Sequence, residues 1–125
     1  MAWDVYLTDE VDAWLYELAA KDFSSFEQAV IAIEALAEAG PTLGRPLVDR
    51  IKGATIHNMK ELRPGSSGST EIRILFVFDP WRSAILLVAG NKSGVWSEWY
   101  RRNIPIAENR YAQYVQQRQK EEGDQ

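Results

Sequence analysis

At 125 residues the chain has the length of one compact domain, and a composition of 46% hydrophobic and 26% charged residues separates it from disordered polypeptides. The absence of cysteine excludes a disulfide framework, a thiolate zinc site and a cysteine nucleophile, and suits a reducing cytoplasm. The net charge of −4 averages two unlike regions: residues 1–44 carry nine acids and one base, whereas 45–103 carry ten bases and five acids, so overall acidity does not exclude an anionic ligand for the middle of the chain.

Met1-Ala2-Trp3-Asp4 has neither the basic flank nor the apolar stretch of a signal peptide. Instead Trp3, Val5 and Leu7 alternate with Ala2, Asp4 and Tyr6, the period-two pattern of a half-buried strand. Thr8 or Asp9 then caps a helix in which Val11, Trp14, Leu15 and Leu18 share one face, with Asp9, Glu10 and Asp12 near its positive end. Ser24 and Glu27 form an S-x-x-E capping box for a second helix striped by Phe26, Val30, Ile33 and Ala37, and Gly40-Pro41 stops it. The two together make a helical hairpin.

Pro41, Gly44 and Pro46 predict an irregular basic connection from Gly40 to Gly53, followed by a strand over 55–63. The run Pro64-Gly65-Ser66-Ser67-Gly68-Ser69 reads as a turn, and 71–78, rich in β-branched and aromatic residues, as the second strand of a hairpin. Asp79-Pro80 turns the chain into a third strand over 84–90. That strand is apolar on both faces and hence central, yet its longest wholly apolar run, 84–89, is far below the roughly 20 residues of a membrane span, so no membrane contact is expected. After Gly90-Asn91-Lys92-Ser93-Gly94 the spacing of Trp96, Trp99 and Tyr100 is helical; Pro105 starts a final helical segment carrying Ala107, Tyr111, Tyr114 and Val115. The order predicts an α+β fold of one domain, 1–120, with 121–125 as a frayed tail. Its helices lie mainly on one sheet face and leave the other free.

Side-chain alternation places His57, Met59, Glu61 and Arg63 on one face of the first hairpin strand and Ile56, Asn58, Lys60 and Leu62 on the other. On the next strand Ile72, Ile74, Phe76 and Phe78 form the core set, which leaves Arg73 on the opposite face. If Arg63 and Arg73 meet there, an anion must lie between them, and phosphate fits their forked donors best. Lys92, directly after the third strand, can join them. An Arg/Arg/Lys group stabilises the charge of a pentacoordinate phosphoryl transition state, Glu61 or His57 can take the proton of an attacking ribose 2′-hydroxyl, and Lys60 or Tyr100 can serve as an auxiliary donor. Such a site needs neither metal nor cofactor. Glu61 and Arg63 can equally form an ordinary ion pair, the lone His57 can be a surface residue, and aromatics at helical spacing can be core.

The series Met59-Lys60-Glu61-Leu62-Arg63, a Gly/Ser turn, Glu71-Ile72-Arg73-Ile74-Leu75-Phe76, an apolar strand ending Gly90-Asn91-Lys92-Ser93-Gly94, and a closing Ile104-Pro105-x-Ala107-Glu108-x-Arg110-Tyr111 helix resembles the RelE/ParE toxin superfamily, within it the HigB-like, phage-derived branch, over residues 3–115. The resemblance implies a RelE-like fold and a toxin of a type II toxin–antitoxin system. It would be an mRNA interferase that cuts mRNA in the ribosomal A site by 2′-hydroxyl attack on the adjacent phosphate, causing growth arrest. Arg63, Arg73 and Lys92 match the family's basic residues, and Glu61 fits its motif. The implied partners are the ribosome and mRNA, a helix-turn-helix antitoxin covering the cationic face, and operator DNA reached only through that antitoxin. Two other functions fit the same resemblance: a ParE-like poison of DNA gyrase and an inactive module that only binds its antitoxin. The acidic first 44 residues and the single lysine in the turn before the last helix depart from the family pattern.

Overall fold

The protein is described by a computed structural model covering residues 2–56, 58–65 and 68–123. Strand β1 (Asp4–Leu7) leads into helices α1 (Asp9–Lys21) and α2 (Phe23–Ala39). Strands β2 (Val48–Arg50), β3 (Lys60–Leu62), β4 (Ile72–Phe78) and β5 (Ser83–Asn91) follow, and helix α3 (Trp96–Gly123) closes the chain. The described residues form one sheet in the order β1-β5-β4-β3-β2, antiparallel except where β1 runs parallel to β5. This is the expected α+β, RelE-like architecture.

Local chemistry explains the helix boundaries. Thr8 caps α1, its hydroxyl accepting from the Val11 N–H at 3.3 Å. The cap of α2 is Asp22, not Ser24 of the expected capping box: its carboxylate accepts from the Ser25 N–H at 3.2 Å and the Ser25 hydroxyl at 2.6 Å. A carboxylate whose two oxygens reach both donors outcompetes the Ser24 hydroxyl two residues later. The buried stripe of α2 is also rotated, to Ser25, Ala29, Ala32 and Leu36. Small residues let the helix axis approach the sheet, and the larger Phe26, Val30 and Ile33 fall at the edge facing α1.

Two strand expectations are corrected. The 40–53 connection contains β2, three residues paired with β3, and the Arg63 N–H extends that ladder by donating to the Leu47 carbonyl at 2.7 Å. The expected 55–63 strand contracts to Lys60–Leu62 because Glu108 of α3 draws the preceding segment out of the ladder. Its carboxylate accepts from the Thr55 N–H at 2.5 Å, from the Thr55 hydroxyl and from the Ile56 N–H at 3.1 Å. The hydrogen bonds lower the Glu108 pKa against the opposing effect of its slight desolvation.

The second sheet face is covered rather than free. Val11, Leu15, Ala29, Ala32 and Leu36 pack on Leu62, Ile74, Phe76 and Leu86 on one side; Trp99, Ile104 and Ala107 of α3 pack on Leu75, Val77, Ile85, Leu87 and Val88 on the other. The register slips between Leu75 and Phe76, where β5 contributes one extra residue, Leu87. The Leu87 carbonyl, released from regular pairing, accepts from Arg110 of α3 at 2.7 Å. Helix α3 continues through Pro105 to Gly123, so Pro105 lies inside one helix and residues 121–123 are helical rather than tail.

Gly90 determines how closely α3 approaches. A Cβ there would stand 2.6 Å from Nε1 of Trp99, inside any tolerable contact. Gly90→Ala should therefore push Trp99 off the sheet and lower stability by about 2 kcal/mol, measured by chemical denaturation; an unchanged midpoint would refute this account. At the other end of the same sheet, the Asp79 carboxylate accepts from the Trp81 N–H at 3.0 Å, the Ser83 N–H at 2.7 Å and the Tyr114 hydroxyl at 2.6 Å. Burial and the Asp79 charge push the Tyr114 pKa up to about 12. A raised tyrosine pKa contributes stability that is present below about pH 10 and lost as pH rises toward 12. Stability should fall across that window, and Tyr114→Phe should flatten the fall.

Candidate cationic phosphate site

Strand β3 places Glu61 on the α3 side of the sheet, and β4, paired with it, places Arg73 beside it. Arg63 follows β3 directly. Its Nε lies 3.6 Å from Oε1 of Glu61, and Nε of Arg73 lies 3.4 Å from the same oxygen. Tyr100, one turn into α3, donates its hydroxyl to that oxygen at 3.1 Å. One carboxylate oxygen thus joins two guanidiniums and a phenol, the anion that two neighbouring arginines require. Arg73 is further held by donating from Nη1 to the Ile72 carbonyl at 2.8 Å, while its Nε, near Glu61 but poorly aligned, makes no hydrogen bond.

Lys92 completes the cationic set. The end of β5 is tied to β4 by the Lys92 N–H, which donates to the Glu71 carbonyl at 3.0 Å. Its ammonium lies 3.9 Å from the Trp96 ring centre and 5.1 Å from that of Tyr100, a contact the aromatic quadrupoles favour. Burial and then the Arg73 charge hold the Lys92 pKa below the usual lysine value, against the opposing pull of Glu61 and Glu71. Burial and the Glu61 hydrogen bond push the Tyr100 phenol upward, keeping it a donor.

The structure thus brings together Glu61, Arg63, Arg73, Lys92 and Tyr100. It does not bring Lys60, because strand alternation sends that side chain to the opposite face, 5.4 Å from the Phe78 ring centre. His57 lies outside the described residues. Three further residues belong to the site's surroundings. Asp49 of β2 lies 3.6 Å from Arg63 and 3.2 Å from Arg45. Trp96 covers Lys92, and Glu71 has a buried Oε2 without a hydrogen-bond partner among the described residues. Asp49 left no trace in the sequence because β2 was not legible. The i, i+4 spacing of Trp96 and Tyr100, which puts both rings on one face of α3, was a usable signal.

A cavity of about 330 Å³ opens beside the cluster, lined by Arg63, Glu71, Arg73, Thr70 and Trp96. Exposure is graded across the cluster. Arg63 is partly exposed, whereas Arg73, Glu61 and Lys92 are 8%, 6% and 4% exposed. An anion entering from solvent would meet Arg63 first. Arg73 is reached through the cavity, whereas Lys92 lies beneath Trp96, which follows the positive-φ Gly94 at the exposed start of α3.

A family model described as phage-derived protein Gp49-like (DUF891) matches residues 13–112, most of the chain and all of the cationic cluster. The chain belongs to this Gp49-like family. Two Mycobacterium tuberculosis proteins named as candidate toxins are similar to it. HigB2 is 50% identical over 109 residues, covering 87% of this chain and 53% of the relative. HigB3 is 50% identical over 106 residues, covering 85% and 88%. The Gp49-like chain therefore spans about half the length of HigB2 and nearly the whole of HigB3. These relatives bear out the HigB-like, phage-derived branch to which the ordered motifs pointed. No helix among the described residues is long and apolar enough to cross a membrane.

The central role of Glu61 is testable without knowing the substrate. Glu61→Gln removes the carboxylate shared by the two guanidiniums and leaves Arg73 with no ion-pair partner among the described residues, Asp49 remaining beside Arg63 alone. It should cost about 3 kcal/mol in stability, and sulfate should restore part of the loss where chloride does not. Thermal unfolding in the two salts is the measurement; an anion-independent loss would mean that Glu61 only packs.

Proposed function

We propose that this chain is the toxin of a toxin–antitoxin pair and acts as a metal-independent endoribonuclease on ribosome-bound mRNA. The observation that carries this reading is the convergence of Arg63, Arg73 and Lys92 beside a cavity of about 330 Å³ lined by both arginines; the names of the HigB relatives support the toxin half of it. In the reaction the ribose 2′-oxygen bonds to the adjacent phosphorus while the bond to the 5′-oxygen breaks, leaving a 2′,3′-cyclic phosphate and a 5′-hydroxyl. Arg63 captures the phosphate from solvent. Arg73 and Lys92 neutralise the charge that grows on its non-bridging oxygens, where a preorganised donor acts most strongly.

The proton of the 2′-hydroxyl goes to a carboxylate. Glu61 is the motif residue, yet its Oε1 already holds the Tyr100 hydroxyl and two guanidiniums, which suits it to positioning the arginines. Glu71 lines the cavity and its buried Oε2 has no donor among the described residues, so it is the less engaged acceptor. Lys92, made less basic than free lysine by burial and the Arg73 charge, is suited to give its proton to the departing 5′-oxygen. The antitoxin partner, the ribosome and mRNA as substrate belong to this same proposal.

Induction of the intact chain should arrest growth, and primer extension on ribosome-associated mRNA should reveal new codon-linked 5′ ends. Arg73→Ala should lower cleavage by about 100-fold or more, the usual effect of losing one transition-state donor, and relieve the arrest. Loss of plasmid supercoiling with intact transcripts would replace the nuclease reading with gyrase poisoning. If charged Lys92 is required, cleavage falls on the alkaline side at a pH below that of an ordinary lysine. Lys92→Arg should move that fall upward; an unmoved profile would remove Lys92 from the proton transfer.

A further inference from the structure

The helical hairpin carries a second concave surface, on the opposite side of the sheet from the cationic cluster. Between α1 and α2 runs a groove of about 400 Å³ whose floor and walls are Leu7, Leu15, Ala19, Phe26, Val30 and Ile33. It exists because the small residues Ala29 and Ala32 take the sheet-facing positions of α2 and leave the larger ones turned toward α1. Tyr16 stands on its edge, 75% exposed, and Ile31 and Phe23 are exposed on the same hairpin. Contiguous apolar surface of this kind marks a site of association.

The charges around the groove select its occupant. Asp12 and Glu34 line it directly, and Glu27 and Glu38 share a helical stripe with Glu34 along α2. The only base in residues 1–44, Lys21, is 2.5 Å from Glu17 in an ion pair at the far end of α1. A second copy of the chain docked groove to groove would set two acidic rims against each other. An amphipathic helix with lysine or arginine beside its apolar stripe would meet complementary charge on both sides.

We propose that the α1–α2 groove is the docking site for a basic amphipathic helix of a protein partner, its apolar residues seated against Leu15, Phe26, Val30 and Ile33 and its cations against Asp12, Glu27, Glu34 and Glu38. A partner bound here leaves Arg63, Arg73 and Lys92 uncovered, on the far face of the sheet. Under the toxin reading this is an antitoxin contact distinct from any segment that covers the cationic face. The groove's chemistry does not depend on that reading and stands if RNA cleavage is never observed.

The test uses the full chain and two synthetic helical peptides with the same leucine stripe, one flanked by lysines and the other by glutamates. Titration calorimetry at low salt should give at least tenfold tighter binding of the lysine peptide, weakening as salt is added. Tyr16→Glu, at an exposed position, should reduce that binding by about tenfold for loss of the aromatic edge, and Arg73→Ala should leave it unchanged. The double variant Asp12→Lys, Glu34→Lys should reverse the preference, a gain that misfolding cannot imitate. Equal affinity for the two peptides, a preference the double variant fails to shift, or a dimer in sedimentation that Tyr16→Glu dissolves would each overturn the proposal, the last in favour of a second copy.

Discussion

Two guanidiniums can occupy the same poorly hydrated corner of a protein only with an anion between them, and the Glu61 carboxylate is that anion. Much of the surrounding structure serves this contact. Strand β3 is short, but its pairing with both β2 and β4 orients Glu61, and the Tyr100 hydroxyl fixes the oxygen from the helix side. Gly90 allows Trp99 to lie against the sheet at the β5 position paired with Arg73, closing the apolar wall behind it. The cluster is thereby held in a defined geometry before any ligand arrives, which is what electrostatic stabilisation of a developing charge requires.

The sheet divides the molecule into two chemically different sides. On the α3 side the apolar packing gives way, at the end near the start of the helix, to buried cations, two carboxylates and an aromatic cover. On the hairpin side the surface is acidic, with an apolar groove along it. A chain with a net charge of −4 can thus offer an anion-binding corner and a cation-binding groove at once, because acids dominate residues 1–44 and bases outnumber acids in 45–103, and the fold places the hairpin groove and the cationic cluster on opposite faces.

Some errors of the sequence reading have identifiable causes. Periodicity located both N-terminal helices, but Phe26, Val30 and Ile33 drew the stripe of α2 toward the largest apolar residues, whereas close approach to the sheet selects Ala29 and Ala32. The length of β3 and the existence of β2 depend on partners far away in the chain, Glu108 for the first and the β3 ladder for the second. Lys60 was grouped with the site although its own strand parity sends it to Phe78. The interruption expected at Pro105 did not occur because the helix around it packs on the sheet, and packing outweighs one lost backbone hydrogen bond.

From the sequence alone followed the order of every element except β2, the α+β class, the opposite-face placement of Arg73 relative to Ile72 and Ile74, and the ordered motifs that carried the family resemblance. These follow from alternation, capping and spacing, all local properties of a chain. Only the tertiary structure decided that Glu61 lies between the arginines, that α3 covers the second sheet face, that Lys92 packs against Trp96 and Tyr100, and that a buried Glu71 oxygen has no partner among the described residues. Those facts depend on which distant segments come within a few ångströms of one another, and burial of apolar surface across the whole sheet, not local spacing, sets that proximity.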